Sequence, residues 1–207
     1  MKVNLHKAIS PSPLHVSTEK VEKVGKVEHG SWEEFKNGNE EAFIQIYQEN
    51  FTSLYRYGSQ YTVCRDLIKD TIQELFIDLR KNRKRLSIKS IKPYLFVAFR
   101  QNLIAKLKQS NKVVTFDSDL LEGYDFKVEI SSDRMLIDSQ DKDYEKERLN
   151  RVIDSLPTRQ KEIIYLFYFE DMSYEEIKQL MSFKDIKSVR NLVYKAIKSL
   201  RANYVSS

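Results

Sequence analysis

The last sixty residues hold a set of side chains suited to nucleic acid. Lys187, Arg190, Asn191, Tyr194 and Lys198 recur at steps of three and four, which places them together on one side of a helix. Arginine and asparagine can pair bidentately with base edges, while lysine and tyrosine can reach phosphate oxygens. A second set lies upstream. Asp66, Asp70, Gln73 and Glu74 share the exposed side of one helical stretch, whose exit carries Arg80, Lys81, Arg83, Lys84 and Arg85. Lys89 follows, and then Arg100, Gln101, Asn102, Lys106 and Lys108. A basic loop feeding a basic helix, with Phe96 and Phe99 beside it, suits single-stranded DNA held by phosphate attraction and base stacking. Each feature also has a plainer reading. Charged faces are commonly just solvated, and Phe99 lies on an apolar stripe that suits core packing.

Other chemistries find little support. The three histidines, His6, His15 and His29, all fall in the first thirty residues, so no spaced histidine pair can bind a metal. Cys64 is the single cysteine, expected to be a buried small hydrophobe, and no disulfide or thiolate cluster can form within the chain. The five glycines are isolated, leaving no phosphate-cradling loop. Asp70 and Glu74 stand four apart and face together, but no further motif makes them a metal or catalytic pair. The chain is therefore expected to be no enzyme, with no catalytic residue, metal or cofactor. It has no apolar run long enough to span a bilayer and no signal-peptide core, so a cytoplasmic protein without membrane insertion is expected.

These residues must be positioned by helices. Four prolines and five glycines in 207 residues argue against a many-stranded fold, and an all-α protein of two small domains is expected. Residues 1–30 show no apolar period and read as a flexible extension. Phe43, Ile46, Tyr47, Phe51, Leu54 and Tyr61 begin a helical period near Glu40. A second stripe runs Leu67, Ile68, Thr71, Ile72, Leu75, Phe76, Leu79. A third helix starts near Ile91, with Pro93 tolerated in its first turn, and buries Tyr94, Leu95, Ala98, Phe99, Leu103 and Leu107. Residues 31–110 thus form a three-helix domain. Residues 111–142 lose the period and read as an acidic linker whose aromatic residues touch something. Residues 143–207 form a second domain, with Pro157 breaking one helix and Ser173-x-x-Glu176 opening another as a capping box. A short turn, Ser182 to Asp185, leads to a last helix with the apolar stripe Val189, Leu192, Val193, Ala196, Ile197, Leu200. This is a helix-turn-helix pattern.

Charge follows the same divisions. The formal net charge is +5, but residues 31–110 carry +5, residues 111–147 carry −6 and residues 148–207 carry +4. Between Leu79 and Phe116 there are eleven Lys/Arg and no acid. Folding alone gives no reason to exclude acids over such a length, so this stretch suits a polyanion.

In this order, the constellations resemble the extracytoplasmic-function (ECF) sigma factors of bacterial RNA polymerase. Asn39-Glu40-Glu41-Ala42-Phe43 to Tyr61 looks like region 2.1, Asp66 to Phe76 like region 2.2, and Tyr94-Leu95-Phe96 through Arg100-Gln101 like regions 2.3 and 2.4. Leu156-Pro157-Thr158-Arg159-Gln160-Lys161-Glu162 with Met172-Ser173-Tyr174-Glu175-Glu176-Ile177 resembles the start of region 4. Ser182-Phe183-Lys184-Asp185-Ile186 departs from the family by one extra residue and by lacking its usual glycine. The resemblance implies two partners, core RNA polymerase and promoter DNA. Asp66, Asp70, Gln73 and Glu74 would dock on the polymerase. Arg83, Lys84, Arg85, Lys89, Arg100, Gln101, Asn102 and Lys106 would read and open the −10 element. Lys187, Ser188, Arg190, Asn191, Tyr194, Lys195 and Lys198 would serve the −35 element. The acidic linker would thread the polymerase channel, an anti-sigma factor is a further implied partner, and the free chain would be a monomer. The competing reading is a polymerase-independent helix-turn-helix regulator that binds an operator, which would need a dimer interface.

Overall fold

A computed structural model describes residues 25–110, 126–128 and 142–205, with side chains described over 31–109, 126–128 and 147–204. The extension at residues 1–24 and the linker, apart from 126–128, lie outside the described residues. Every regular element among the described residues is helical. The chain divides between Gly123 and Tyr124 into two compact units.

The N-terminal unit contains α1 (Gly25–Lys36), α2 (Glu40–Ser59), α3 (Arg65–Asn82) and α4 (Ile91–Ser110). Helix α1 departs from the sequence expectation: residues 25–30, read as part of a flexible extension, are helical. Its anchors are Trp32 and Phe35, both fully buried. It stops at Gly38, whose φ of 105° few L side chains adopt. There the amides of Gly38 and Asn39 donate to the carbonyls of Phe35 and Glu34, the bonding pattern of a Schellman stop. Asn39 then caps α2, its side-chain oxygen accepting from the amides of Glu41 and Ala42. One three-residue junction thus ends one helix and starts the next.

The core-facing side of α2 is Ala42, Ile46, Asn50, Leu54, Tyr57 and Gly58. The expected stripe through Phe43, Tyr47 and Phe51 is displaced: these rings sit at the flank, and Tyr47 is exposed. In α3 the expected stripe from Ile68 to Leu79 is the buried one. In α4 both Phe96 and Phe99 are fully buried, which removes Phe96 as a base-stacking platform. Its ring instead packs 5.2 Å from Tyr57. Helices α2, α3 and α4 meet closely at Gly58, where an added Cβ would lie 2.8 Å from Phe99 Cζ and 2.9 Å from Ile68 Cγ2. Cys64 is exposed rather than buried, because it lies in the connection just before α3.

The C-terminal unit contains Phe126–Val128, α5 (Lys142–Asp154), α6 (Thr158–Ile164), a π-helical turn (Tyr165–Phe169), α7 (Tyr174–Leu180) and α8 (Ile186–Val205). The linker touches this unit. Phe126 and Val128 are buried, and the Phe126 ring meets Tyr165 edge-on at 5.7 Å. The capping box opens α7: Ser173 Oγ accepts from the Glu176 amide, and the Glu176 carboxylate accepts from the Ser173 amide. Helix α7 ends with Ser182 at φ 55°. The amides of Ser182 and Phe183 donate back to Gln179 and Lys178, again a Schellman stop but without its glycine. A non-glycine residue in this left-handed conformation costs about 1 kcal/mol. Ser182→Gly is therefore expected to stabilise the unit by up to about 1 kcal/mol, read as a melting temperature a few degrees higher.

Candidate polymerase and nucleic-acid interfaces

On the N-terminal unit, α3 presents Asp66, Asp70, Gln73 and Glu74 to solvent. Beside them, α2 and α3 enclose a groove of about 380 Å³. Phe43, Tyr47 and Phe51 line it from α2, and Gln73, Phe76 and Ile77 from α3. Tyr47, Ile77 and the neighbouring Ile44 are exposed large hydrophobics, an arrangement typical of a docking surface for another protein. The sequence signal for this groove was present in the aromatic stripe of α2, which sequence reasoning assigned to the core.

The residues expected at the −10 element fall into two groups. Lys84, Arg85, Lys89 and Gln101 are exposed and Asn102 is half-buried. Arg83, Arg100 and Lys106 are engaged within the unit. Arg83 lies 3.8 Å from the Glu40 carboxylate and over the Phe35 ring at 5.5 Å. Arg100 is buried, and its Nε donates to the Tyr61 hydroxyl at 3.1 Å. Lys106 pairs with Glu74 at 2.7 Å, joining a residue expected to face DNA to one expected to face polymerase. Arg80 is similarly tied, 2.8 Å from Glu40 and with its guanidinium over Phe43. The exposed basic side chains are therefore concentrated at the end of α3 and on the loop after it, with Lys108 alone exposed on α4.

On the C-terminal unit, α8 buries Val189, Val193, Ala196, Ile197 and Leu200 and exposes Lys187, Arg190, Asn191, Tyr194, Lys195 and Lys198. Ser188 is half-buried. Its amide donates at 2.7 Å to Asp185, which caps the helix. Hydrogen bonds from the Ser188 amide and hydroxyl hold the Asp185 carboxyl below its usual 3.8, with Lys187 adding to the effect. A lowered folded value means that this capping contribution stands at neutral pH. It is lost as the pH falls below the ordinary carboxylate range through the folded value. Asparagine caps as well as aspartate without titrating. Asp185→Asn is thus expected to match the wild type at neutral pH and to lose less of its melting temperature than the wild type on acidification to about pH 3, whereas Asp185→Ala melts earlier already at neutral pH.

Behind α8, Arg159 donates to the Met181 carbonyl at 3.4 Å and lies over the Phe183 ring at 5.1 Å, bracing the turn. The π-helical turn supplies Phe167 and Tyr168, whose rings meet edge-on. Burial pushes the Tyr168 phenol up to about 12, with Tyr174 adding and Arg201 opposing. Tyr174 is stacked on Phe167 and lies under Arg190. Sequence reasoning did not single out Tyr174 as a neighbour of the recognition helix.

Helices alone among the described residues, with a capped basic helix in one unit and, in the other, an acidic helix side beside a groove, are the build expected of a sigma-type transcription initiation factor. Residues 146–200 match the family model of Sigma-70, region 4. The chain is 25% identical over 160 residues to the ECF RNA polymerase sigma factor SigM of Bacillus subtilis (strain 168), covering 77% of this chain and 93% of that protein. It is 23% identical over 154 residues to the RNA polymerase sigma factor SigV of the same organism, covering 74% and 83% respectively. The solved structure of CnrH in complex with the cytosolic domain of CnrY shares the fold, with a TM-score of 0.58, 15% identity, and 87% of this chain and 99% of that chain covered. Residues 146–200 thus match sigma-70 region 4, and most of the chain is similar in sequence to ECF sigma factors. Among the described residues, no helix is long and apolar enough to cross a membrane.

Proposed function

We propose that the protein binds core RNA polymerase and directs it to promoters as an ECF sigma factor, acting in the cytoplasm. The observation that carries this reading is the exposed basic side of α8, set on a capped helix-turn-helix within the stretch that matches sigma-70 region 4. Helix α8 enters the major groove at the −35 element, with Arg190 and Asn191 on base edges and Lys187, Tyr194, Lys195 and Lys198 on the backbone. Lys84, Arg85 and Lys89, with Gln101 and Asn102, face the −10 element. Strand opening there is helped by phosphate attraction to Lys84, Arg85 and Lys89. Asp66, Asp70 and Gln73, with the adjoining groove, dock on the polymerase. The chain performs no chemistry of its own. It lends sequence preference to an enzyme that has little, and each weak DNA contact becomes effectively intramolecular once polymerase holds the chain. The likeness to CnrH, solved with the cytosolic domain of CnrY, supports a second protein partner, an anti-sigma factor.

The test is co-elution of the purified protein with bacterial core RNA polymerase, followed by transcription from genomic DNA. Co-elution with defined start sites is expected. Failure to co-elute, with sequence-specific DNA binding by the protein alone, would overturn the reading in favour of an operator-binding regulator.

A further inference from the structure

The side chains that present Arg190 lie outside the recognition helix. The Arg190 guanidinium carbon lies 5.5 Å from the centroid of the Tyr174 ring, at the start of α7. Behind that ring, Phe167 of the π-helical turn is stacked at 5.1 Å with an interplanar angle of 10°. Tyr174 is half-buried and Arg190 is exposed. Phe167 is half-buried as well, and the three groups form a layered stack that ends at the exposed side chain: phenyl, phenol, guanidinium.

Each layer has a physical consequence. The negative face of an aromatic ring attracts a cation above it, and a planar guanidinium can lie on a ring as a lysine ammonium cannot. Phe167 limits the freedom of Tyr174, so the platform itself is fixed. A long arginine side chain otherwise samples many rotamers and loses that freedom when it binds a base. A platform that restricts it beforehand lowers the entropy lost on binding. π-Helical turns are frequently found at functional sites, and here one supplies the innermost ring.

We propose that Tyr174, backed by Phe167, is the positioning residue for Arg190 and thereby sets sequence discrimination by α8. The inference rests on α8 being the DNA-reading helix. Its first readout is independent of DNA. In the full-length free protein, the Arg190 Nε–Hε group is expected to show restricted motion by 15N relaxation in the wild type and in Tyr174→Phe. It becomes mobile in Tyr174→Leu and partly mobile in Phe167→Leu. Equal mobility in all four proteins would overturn the proposal whatever the chain binds.

The second readout uses holoenzyme on a promoter fragment recovered by start-site mapping, with its upstream element intact or scrambled. Tyr174→Leu is expected to lower the intact-to-scrambled transcription ratio roughly two- to fivefold. Tyr174→Phe leaves the ratio unchanged, and the double variant Tyr174→Leu/Arg190→Ala is no worse than Arg190→Ala alone. Independent, multiplying losses would overturn the proposal, because a ring acting only through Arg190 has no effect once Arg190 is gone. Should Tyr174→Leu fail to fold, Phe167→Leu carries the same comparison at smaller size. Failure of the sigma reading itself would show differently, as absent co-elution for the wild type, with the relaxation experiment still deciding the positioning.

Discussion

Asp66→Lys combined with Asp70→Lys is expected to abolish co-elution with core polymerase while leaving the fold intact. Both carboxylates are exposed on α3, on the side opposite the buried run from Ile68 to Leu79. At Asp70 such a surface change typically alters stability by no more than about 0.5 kcal/mol, and at Asp66, in the first turn of α3, reversing the charge costs about 0.3–1 kcal/mol through the helix dipole, too little to unfold the unit. An interface penalises the same change far more heavily. Placing a like charge where an opposite one docked costs several kcal/mol, and about 3 kcal/mol corresponds to two orders of magnitude in affinity. Glu74 is left out of this test because its carboxylate holds Lys106 at 2.7 Å, so its reversal would disturb the pairing of α3 with α4 as well. Co-elution at wild-type level in the double variant would place the docking surface elsewhere. The measurement is gel filtration with core enzyme, alongside thermal melts of the free protein.

Gly58→Val is expected to lower the melting temperature of the N-terminal unit by roughly 10–20 °C. The first added carbon would lie 2.8 Å from Phe99 and 2.9 Å from Ile68, which is well inside ordinary contact. Both neighbours are buried, with no open space to move into. Isoleucine is also stiff about its first side-chain torsion. Overpacking of this kind costs about 1–3 kcal/mol, and valine adds two methyl groups to the clash. Alanine at the same site is the informative contrast: it keeps the first clash but gains helix propensity over glycine by about 1 kcal/mol, so its loss should be smaller. A melting temperature unchanged in Gly58→Val, followed by circular dichroism, would show that the three helices do not meet there.

What could be read from sequence was whatever is encoded over a few residues. The capping box at Ser173 and Glu176 and the apolar stripe of α8 repeat within one or two turns, and both stand in the structure. Helix α1 was missed because its two buried anchors, Trp32 and Phe35, amount to a single step of a period and sit among charged residues. The α2 stripe misled for a different reason. Aromatic spacing shows which residues share a side, but not whether that side meets the core or borders a groove. The fates of Arg83, Arg100 and Lys106 depend on partners distant in sequence. Tyr61 lies 39 residues from Arg100, and no local pattern links them. The same holds for Tyr174 and Arg190, which a turn brings together across two helices.

The seat of Phe126 and Val128 on the C-terminal unit makes the connection between the two units a measured cord. Fifteen residues separate Ser110 from Phe126, and however they are arranged they span at most about 55 Å. Were the seat to let go, the cord would run on to Lys142 and its limit would roughly double. On the proposed function, in which the two units hold two DNA elements at once, cord length sets an upper limit on the base pairs between them. A firm seat then lowers the longest spacing that can be bridged, and a seat weakened at Phe126 is expected to extend use to promoters with longer spacers.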